Sequence, residues 1–379
     1  MNEEIVNFIK SLYGSENFIP LHEPTFSDLE KKYVNEAIDS TFVSSVGKFV
    51  DQFEQDFAKF IDVPYAVAVV NGTAALHISL LLSGVEPEDE VLTQALTFVA
   101  TCNAISYCGA KPIFIDVDPD TMGLSPSALK KFLVENTKVV DDRCINKTTG
   151  KVIRACVPMH SFGQPCRIQE IVEICHEYKI SVVEDAAESL GSYRHGQHTG
   201  TFGQFGAFSF NGNKVMTTGG GGMIVTANKE LALRAKHITT TAKIPHKWNF
   251  VHDEVAYNYR MPNLNAALGC GQLERLPEIL KIKKSLAAEY RQFFKSTNDV
   301  DFIDEIEGSQ ANFWLNALSF KTTEQRDSFL HFANDAAVMS RPAWQLMNEL
   351  RMFKDCQVFG DLTNSQKISE TLANIPSSA

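Results

Sequence analysis

"AFSFNGNKVMTTGGGG", Ala207 to Gly222, carries one charged residue in sixteen. A short apolar strand runs into a turn, Lys214 follows, and four glycines close the stretch. Lysines on protein surfaces sit among other charges, whereas Lys214 is walled in by small residues that let backbone approach closely. The stretch reads as a floor built around one amine. The rest of the chain has to supply what that amine touches.

On both sides of it the chain alternates between two periodicities. "YAVAVV" (65–70), "EVLTQALTF" (90–98), "KPIFIDV" (111–117), "IRACVPMH" (153–160), "ISVVEDAA" (180–187), "GAFSFN" (206–211) and "GMIVTA" (222–227) are short apolar runs. Most are continuous rather than alternating, as in strands buried on both faces. Helical spacing separates several of them, as in "TAALHISLLLSG" (73–84) and "RIQEIVEICHEY" (167–178). Upstream, Ser27 and Glu30 stand at capping-box spacing, and Phe49, Phe53, Phe57, Phe60 and Ile61 recur at helical intervals. Such alternation predicts an α/β fold with an open, mostly parallel central sheet flanked by helices. The polar stretch 141–152 is expected to be a surface excursion. Beyond about residue 245 the pattern becomes a long helix broken near Pro277, a strand over "ANFWLNALSF" (311–320) and a further helix. The expected division is therefore a large domain, 1–245, which includes the N-terminal helix, and a smaller α+β domain, 246–379.

Composition narrows the function. The 379 residues hold 35 basic and 46 acidic side chains, a net charge of −11. Nucleic acid and anionic membranes demand a basic footprint, so neither is expected as a partner. The start "MNEEIVNFIKSLYG" lacks the basic-then-apolar order of a signal peptide, and no apolar run reaches bilayer length. Eight cysteines in scattered apolar contexts, with no CxxC pair, suit reduced core thiols and a cytoplasmic address. A metal site around His160 is not expected from the ligand spacing.

Candidate partners for Lys214 come from other strand ends. In "VVNGTAAL", Gly72 permits a tight turn and the amides of Thr73 and Ala74 stand at a helix start. That is either a phosphate cradle or an ordinary turn and cap. Asp185 closes a very apolar strand, where it either faces a cation or caps a helix. Phe98 is either a core aromatic or a face for a flat ring. Ser209 adds a hydroxyl. An anion cradle, an aromatic, a carboxylate and a lysine amine, in this order along the chain, are the parts that hold pyridoxal 5'-phosphate.

The motifs "NGTAAL", "TFVAT", "VVEDAAESLGS", "FSFNGNKVMTTGGGG" and "YNYRMPNLNAALG" resemble the DegT/DnrJ/EryC1/StrS sugar aminotransferases, from about residue 18 onward. The resemblance implies a fold type I pyridoxal-phosphate transferase with Lys214 as the Schiff-base lysine and proton shuttle. Asp185 would then pair with the pyridine nitrogen, Phe98 would stack on the ring, and Gly72, Thr73, Ala74 and Ser209 would surround the phosphate. Glu188 falls where many relatives place Gln or His near the phenolic oxygen. Asn258 matches a residue that reaches the neighbouring subunit's phosphate, which implies a homodimer. "IPLHEPTF", "SSVGKFVDQFE" and "SRPAWQLMNEL" resemble the branch acting on UDP-linked 4-keto-6-deoxy-N-acetylhexosamines, with L-glutamate as donor, on routes to bacillosamine and legionaminic acid. His22, Arg260 and Arg341 are assigned to that substrate; a surface salt bridge is the other reading of Arg341.

Rival functions remain on the sequence alone. Relatives that dehydrate sugars at C3 carry His at the position of Lys214, which argues for transamination. A C3-ketosugar aminotransferase, an amino-acid lyase and a nonenzymatic sensor of the same fold stay open beside it. A Rossmann dehydrogenase is excluded, because no GxGxxG follows the first strand.

Overall fold

A computed structural model describes residues 1–44, 46–297 and 299–379. Ser45, inside the "SSVGKFVDQFE" motif, lies outside the described residues. Helices α1 (Asn2–Tyr13), α2 (Asp28–Asp39) and α3 (Lys48–Phe60) precede the first strand. The main sheet contains β1 (Tyr65–Val69), β2 (Glu90–Gln94), β3 (Lys111–Ile115), β4 (Thr137–Val140), β5 (Arg143–Asn146), β6 (Val152–Val157), β7 (Ser181–Asp185), β8 (Phe205–Ser209) and β9 (Gly222–Thr226). Interleaved with them run α4 (Gly72–Leu82), α5 (Val99–Tyr107), α6 (Pro126–Asn136), α7 (Ile168–Glu177) and α8 (Lys229–Thr239). Each of the seven apolar runs forms a strand.

The spatial order is β1-β9-β8-β7-β6-β2-β3, and only β9 runs against its neighbours along this path. Adjacent residues of one strand serve opposite faces. Val91, Val157 and Val183 pack with α4, α5 and α8, while Leu92, Cys156 and Val182 pack with α6 and α7. The second face continues through Phe208, Met223 and Val225 onto α3. Burial on both sides is why these strands show no polar alternation.

The second part begins with α9 (Asn263–Phe294) and adds β10 (Val300–Phe302), β11 (Asn316–Phe320), α10 (Thr323–Asp335), β12 (Arg341–Pro342), α11 (Thr363–Thr371) and β13 (Leu372–Ile375). Its sheet is antiparallel, in the order β10-β11-β13-β12. Four sequence expectations need correction. Stretch 141–152 is largely exposed, as expected, but it is not outside the sheet: β5 pairs with both β4 and β6, and Cys144 and Asn146 are buried. The strand expected over 311–320 starts only at Asn316, after a turn in which Phe313 has a positive φ of 49°. Helix α1 packs not on the large domain but on Tyr290, Leu318 and Phe329 of the C-terminal core, through Ile5, Val6 and Ile9. Finally, α9 is unbroken at Pro277.

A proline inside a helix removes one hydrogen bond and crowds the preceding turn. Tertiary contacts just before Pro277 outweigh that. Glu30 in α2 is buried, and its carboxylate accepts from Ser27 N (2.8 Å), Ser27 Oγ (2.5 Å), Gln272 Nε2 (2.6 Å) and Arg275 Nη1 (2.8 Å). The predicted capping box therefore doubles as the clamp between α2 and α9. Gly271 lets the helices meet, since a Cβ there would stand 3.0 Å from Glu30 Cα.

Burial alone would raise the Glu30 carboxyl, but the bonds from Ser27 and Arg275 hold it at about 2. A depressed carboxyl stabilises the fold above its ordinary value of 4.5, and that contribution disappears as pH falls from there toward 2. Glu30→Gln is expected to lower stability at pH 7 by about 1–3 kcal/mol. It should also flatten the loss between pH 4.5 and 2, read from urea midpoints across that range.

Candidate active site

The carboxyl ends of parallel strands are where open α/β sheets bind ligands. Here the ends of β1, β2, β7 and β8 deliver Gly72, Phe98, Asp185 and Ser209 to one edge. They line an inner chamber of about 290 Å³ together with Thr73, Glu188 and Lys214. An outer chamber of about 480 Å³ adjoins it, lined by His22, Phe162, Trp314, Arg341, Trp344 and Asn374 among others. Phe98, Glu188, Asn211 and Lys214 border both chambers.

The question raised by Lys214 has a geometric answer. Its Nζ stands 3.0 Å from Glu188 Oε1 and 4.0 Å from the centre of the Trp314 ring. Trp314 holds the same loop a second way, since its indole N–H donates to Asn213 O at 2.6 Å. The glycines that follow make room for the turn. A Cβ on Gly222 would lie 2.5 Å from the Asn71 backbone, and one on Gly72 would lie 2.7 Å from Ser209 Cβ. The lysine loop, the Asn71–Gly72 turn and the end of β8 are therefore in direct contact.

Two buried carboxylates face this amine. Asp185 accepts from Thr101 Oγ1 (2.7 Å) and from Ala187 N (3.2 Å), and turns rather than a helix follow it. The helix-cap reading is thus not what the structure contains. Glu188 Oε2 accepts from Phe162 N at 2.8 Å. Burial raises both carboxyls, against the lowering influence of their hydrogen bonds and of Lys214. Phe98 is 48% exposed, so it borders the chambers instead of filling the core.

The helix start differs from expectation at one residue. The amide of Ala74 already donates to Asn71 Oδ1 at 2.8 Å, and Ala74 lines neither chamber. Among the described residues, the helix-start amides left for an anion are those of Gly72 and Thr73, beside the Thr73 hydroxyl. Two further candidates lie elsewhere. Asn258 is exposed and Arg260 pairs its backbone with Val69; neither lines a chamber. Arg341 makes no ion pair among the described residues, so its salt-bridge reading fails. His160 is buried, with Nε2 3.0 Å from Glu184 and Nδ1 accepting from Cys166 N (3.2 Å), so both ring nitrogens are committed.

The outer chamber holds polar atoms without partners. His22 Nδ1 and Asn374 Oδ1 are buried and unbonded among the described residues. Burial, then the positive charges of Lys283 and Lys214, push the His22 imidazole well below its ordinary range and keep it neutral. Phe162 and Trp344 stack with centroids 4.5 Å apart to form one aromatic wall. Orphaned polar atoms beside aromatic planes suit a polar ligand with flat or carbohydrate faces. Sequence inspection missed Trp314, Phe162 and Asn374. Trp314 lies in the stretch 311–320 that the sequence reads as a plain strand, which hid its place beside Lys214.

Asp185 is a carboxylate buried with neutral donors, so in the cofactor-free protein it costs stability once pH exceeds its ordinary 3.8. Asp185→Asn is expected to stabilise that form by about 1 kcal/mol. Thermal unfolding at pH 3 and pH 8 should show the advantage only at the higher pH, because it is absent below 3.8 and grows as pH rises past it.

Comparison with known proteins agrees with this geometry. The chain is 36% identical over 338 residues to GDP-perosamine synthase of Escherichia coli O157:H7, covering 89% of this chain and 88% of the relative. It is equally identical over 361 residues to GDP-perosamine synthase of Vibrio cholerae, covering 95% and 94%. Among solved structures, the aminotransferase TlmJ from Streptoalloteichus hindustanus superposes with a TM-score of 0.85 at 26% identity, covering 94% of this chain and 93% of that one. A model of the DegT/DnrJ/EryC1/StrS aminotransferase family matches residues 24–379, and the chain belongs to that family of pyridoxal-phosphate-dependent sugar aminotransferases.

Proposed function

We propose that this chain transfers an amino group from L-glutamate to the C4 ketone of a UDP-linked 4-keto-6-deoxy-N-acetylhexosamine. The observation that carries the reading is the Lys214 amine, held at the junction of two chambers between a carboxylate and an indole. The inner chamber suits pyridoxal phosphate by its donor set: an amine, a buried carboxylate, an aromatic face and unused helix-start amides. When bound, the cofactor supplies the electron sink through which an amino group passes between two carbon skeletons.

The chain's own residues do the rest. Lys214 would hold the cofactor through its amine, and its Nζ is placed to move a proton at the reacting carbon. Asp185 would pair with the pyridine nitrogen, Phe98 would cover a ring face, and Thr73, Gly72 and Ser209 would hold the phosphate. Ala74 contributes packing, because Asn71 has taken its amide. Glu188 keeps Lys214 Nζ on the chamber side. In the outer chamber, neutral His22 offers an uncharged hydrogen-bonding ring, and Arg341, unpaired among the described residues, offers a cation for the diphosphate. Asn258 and Arg260, which lie off both chambers, fit a homodimer in which each subunit completes the other's site. Seven buried free cysteines fit a reducing, cytoplasmic setting.

A second reading concerns only the nucleotide. Two relatives at 36% identity are named for GDP-perosamine, which favours a GDP-linked 4-keto sugar. One spectroscopic cycle separates the two. Protein loaded with pyridoxal phosphate is expected to show a visible band that L-glutamate bleaches and the UDP-linked 4-keto-6-deoxy-N-acetylhexosamine restores. Restoration by the GDP-linked 4-keto sugar alone would replace the substrate. Lys214→Ala should lower turnover by at least about a thousandfold, in keeping with loss of the nucleophile and proton carrier together.

A further inference from the structure

Lys283, in the middle of α9, is fully buried, and among the described residues no carboxylate pairs with it. An ammonium is among the costliest groups to bury, and an aliphatic side chain of equal length would fill the same volume. The use of this one is visible in its acceptors. Nζ donates to Trp314 O at 3.3 Å and to Ser377 O at shorter range. These two carbonyls belong to different walls of the outer chamber. Trp314 is the indole under the Lys214 amine. Ser377 donates its amide to Leu21 O at 2.8 Å, and Leu21 and His22 line the chamber.

The surroundings of both carbonyls are otherwise fixed. Trp314 N donates to Asn312 Oδ1 at 2.7 Å, and Asn312 Nδ2 donates to Glu188 O and Leu190 O. Ser377 Oγ accepts from Asn316 N at 2.7 Å, and Tyr290 OH donates to Pro376 O at 2.9 Å. Lys283 joins these two sets at the Trp314 and Ser377 carbonyls, beside the Asn316 bonds to Ser377 Oγ and the pairing of β11 with β13. We propose that Lys283 is a positioning residue for the sugar acceptor: it ties the Trp314 wall to the Leu21–His22 wall and so sets the width of the outer chamber. Burial lowers its ammonium to about 7. Both forms meet the need, since a neutral amine still has two N–H donors for two carbonyls.

The assignment to the acceptor rests on the function proposed above, so its test uses one readout that needs no substrate. In Lys283→Met and the milder Lys283→Gln, the indole N–H resonance of Trp314, identified by its loss in Trp314→Phe, is expected to shift and to exchange faster with water. The exposed Trp248 should not change. Acceptor KM should rise about tenfold in Lys283→Met, the worth of one charge-assisted hydrogen bond, with Lys283→Gln between it and the parent. An unmoved Trp314 resonance in a folded variant overturns the proposal whatever the substrate. A moved resonance with unchanged acceptor KM overturns the acceptor role. If no nucleotide sugar reacts with the parent protein, the proposed function fails, and the indole readout alone then decides whether Lys283 sets the wall.

Discussion

The architecture turns on placing one amine where water would not leave it. Lys214 sits on a loop with no regular structure, and its Nζ is held from below by an indole and from the side by a carboxylate. Neither partner is near it in sequence. Glu188 follows the end of β7, and Trp314 comes from the segment before β11, so the amine is defined only when sheet and C-terminal region have docked. Asn312 makes that docking specific by bonding to Glu188 O and receiving the amide of Trp314. A buried ion pair is weak evidence for stability, and this one is better understood as fixing where the amine points.

The close approach of the surrounding turns carries its own requirement. Gly72 and Gly222 are glycines because Ser209 and the Asn71 backbone occupy the space a methyl would need. The result is a chamber bordered by backbone, which brings amides and hydroxyls near a guest without long flexible side chains. Uncompensated charge in the chamber is unfavourable for the fold. Asp185 and Glu188 are both pushed toward their protonated forms by burial. Active sites commonly hold groups that the fold alone would reject, and these two carboxylates fit that pattern.

Much of this was legible in the sequence, for identifiable reasons. Strands buried on both faces announce themselves as unbroken apolar runs, so all seven were found. Residues at strand ends were found because the motifs place them next to those runs. The β4–β5 hairpin was hidden because only Cys144 and Asn146 of β5 are buried while its turn is charged. Helix α1 was grouped with the wrong core because an amphipathic stripe says that a helix packs, not on what. Trp314 and Lys283 were invisible for the same reason: each matters through contacts with residues distant along the chain, several of them backbone carbonyls. That the Ala74 amide is already bonded depends on the side-chain direction of Asn71, which the letters do not carry.

The central claim is that the amine of Lys214 is the single attachment point of the cofactor. The most direct measurement is to load the protein with pyridoxal phosphate, reduce it with borohydride, digest it and locate the added mass by tandem mass spectrometry. One label per chain on the peptide carrying Lys214, absent from Lys214→Ala, is the predicted result. A label distributed over other lysines, or no label on a folded protein, would contradict the account.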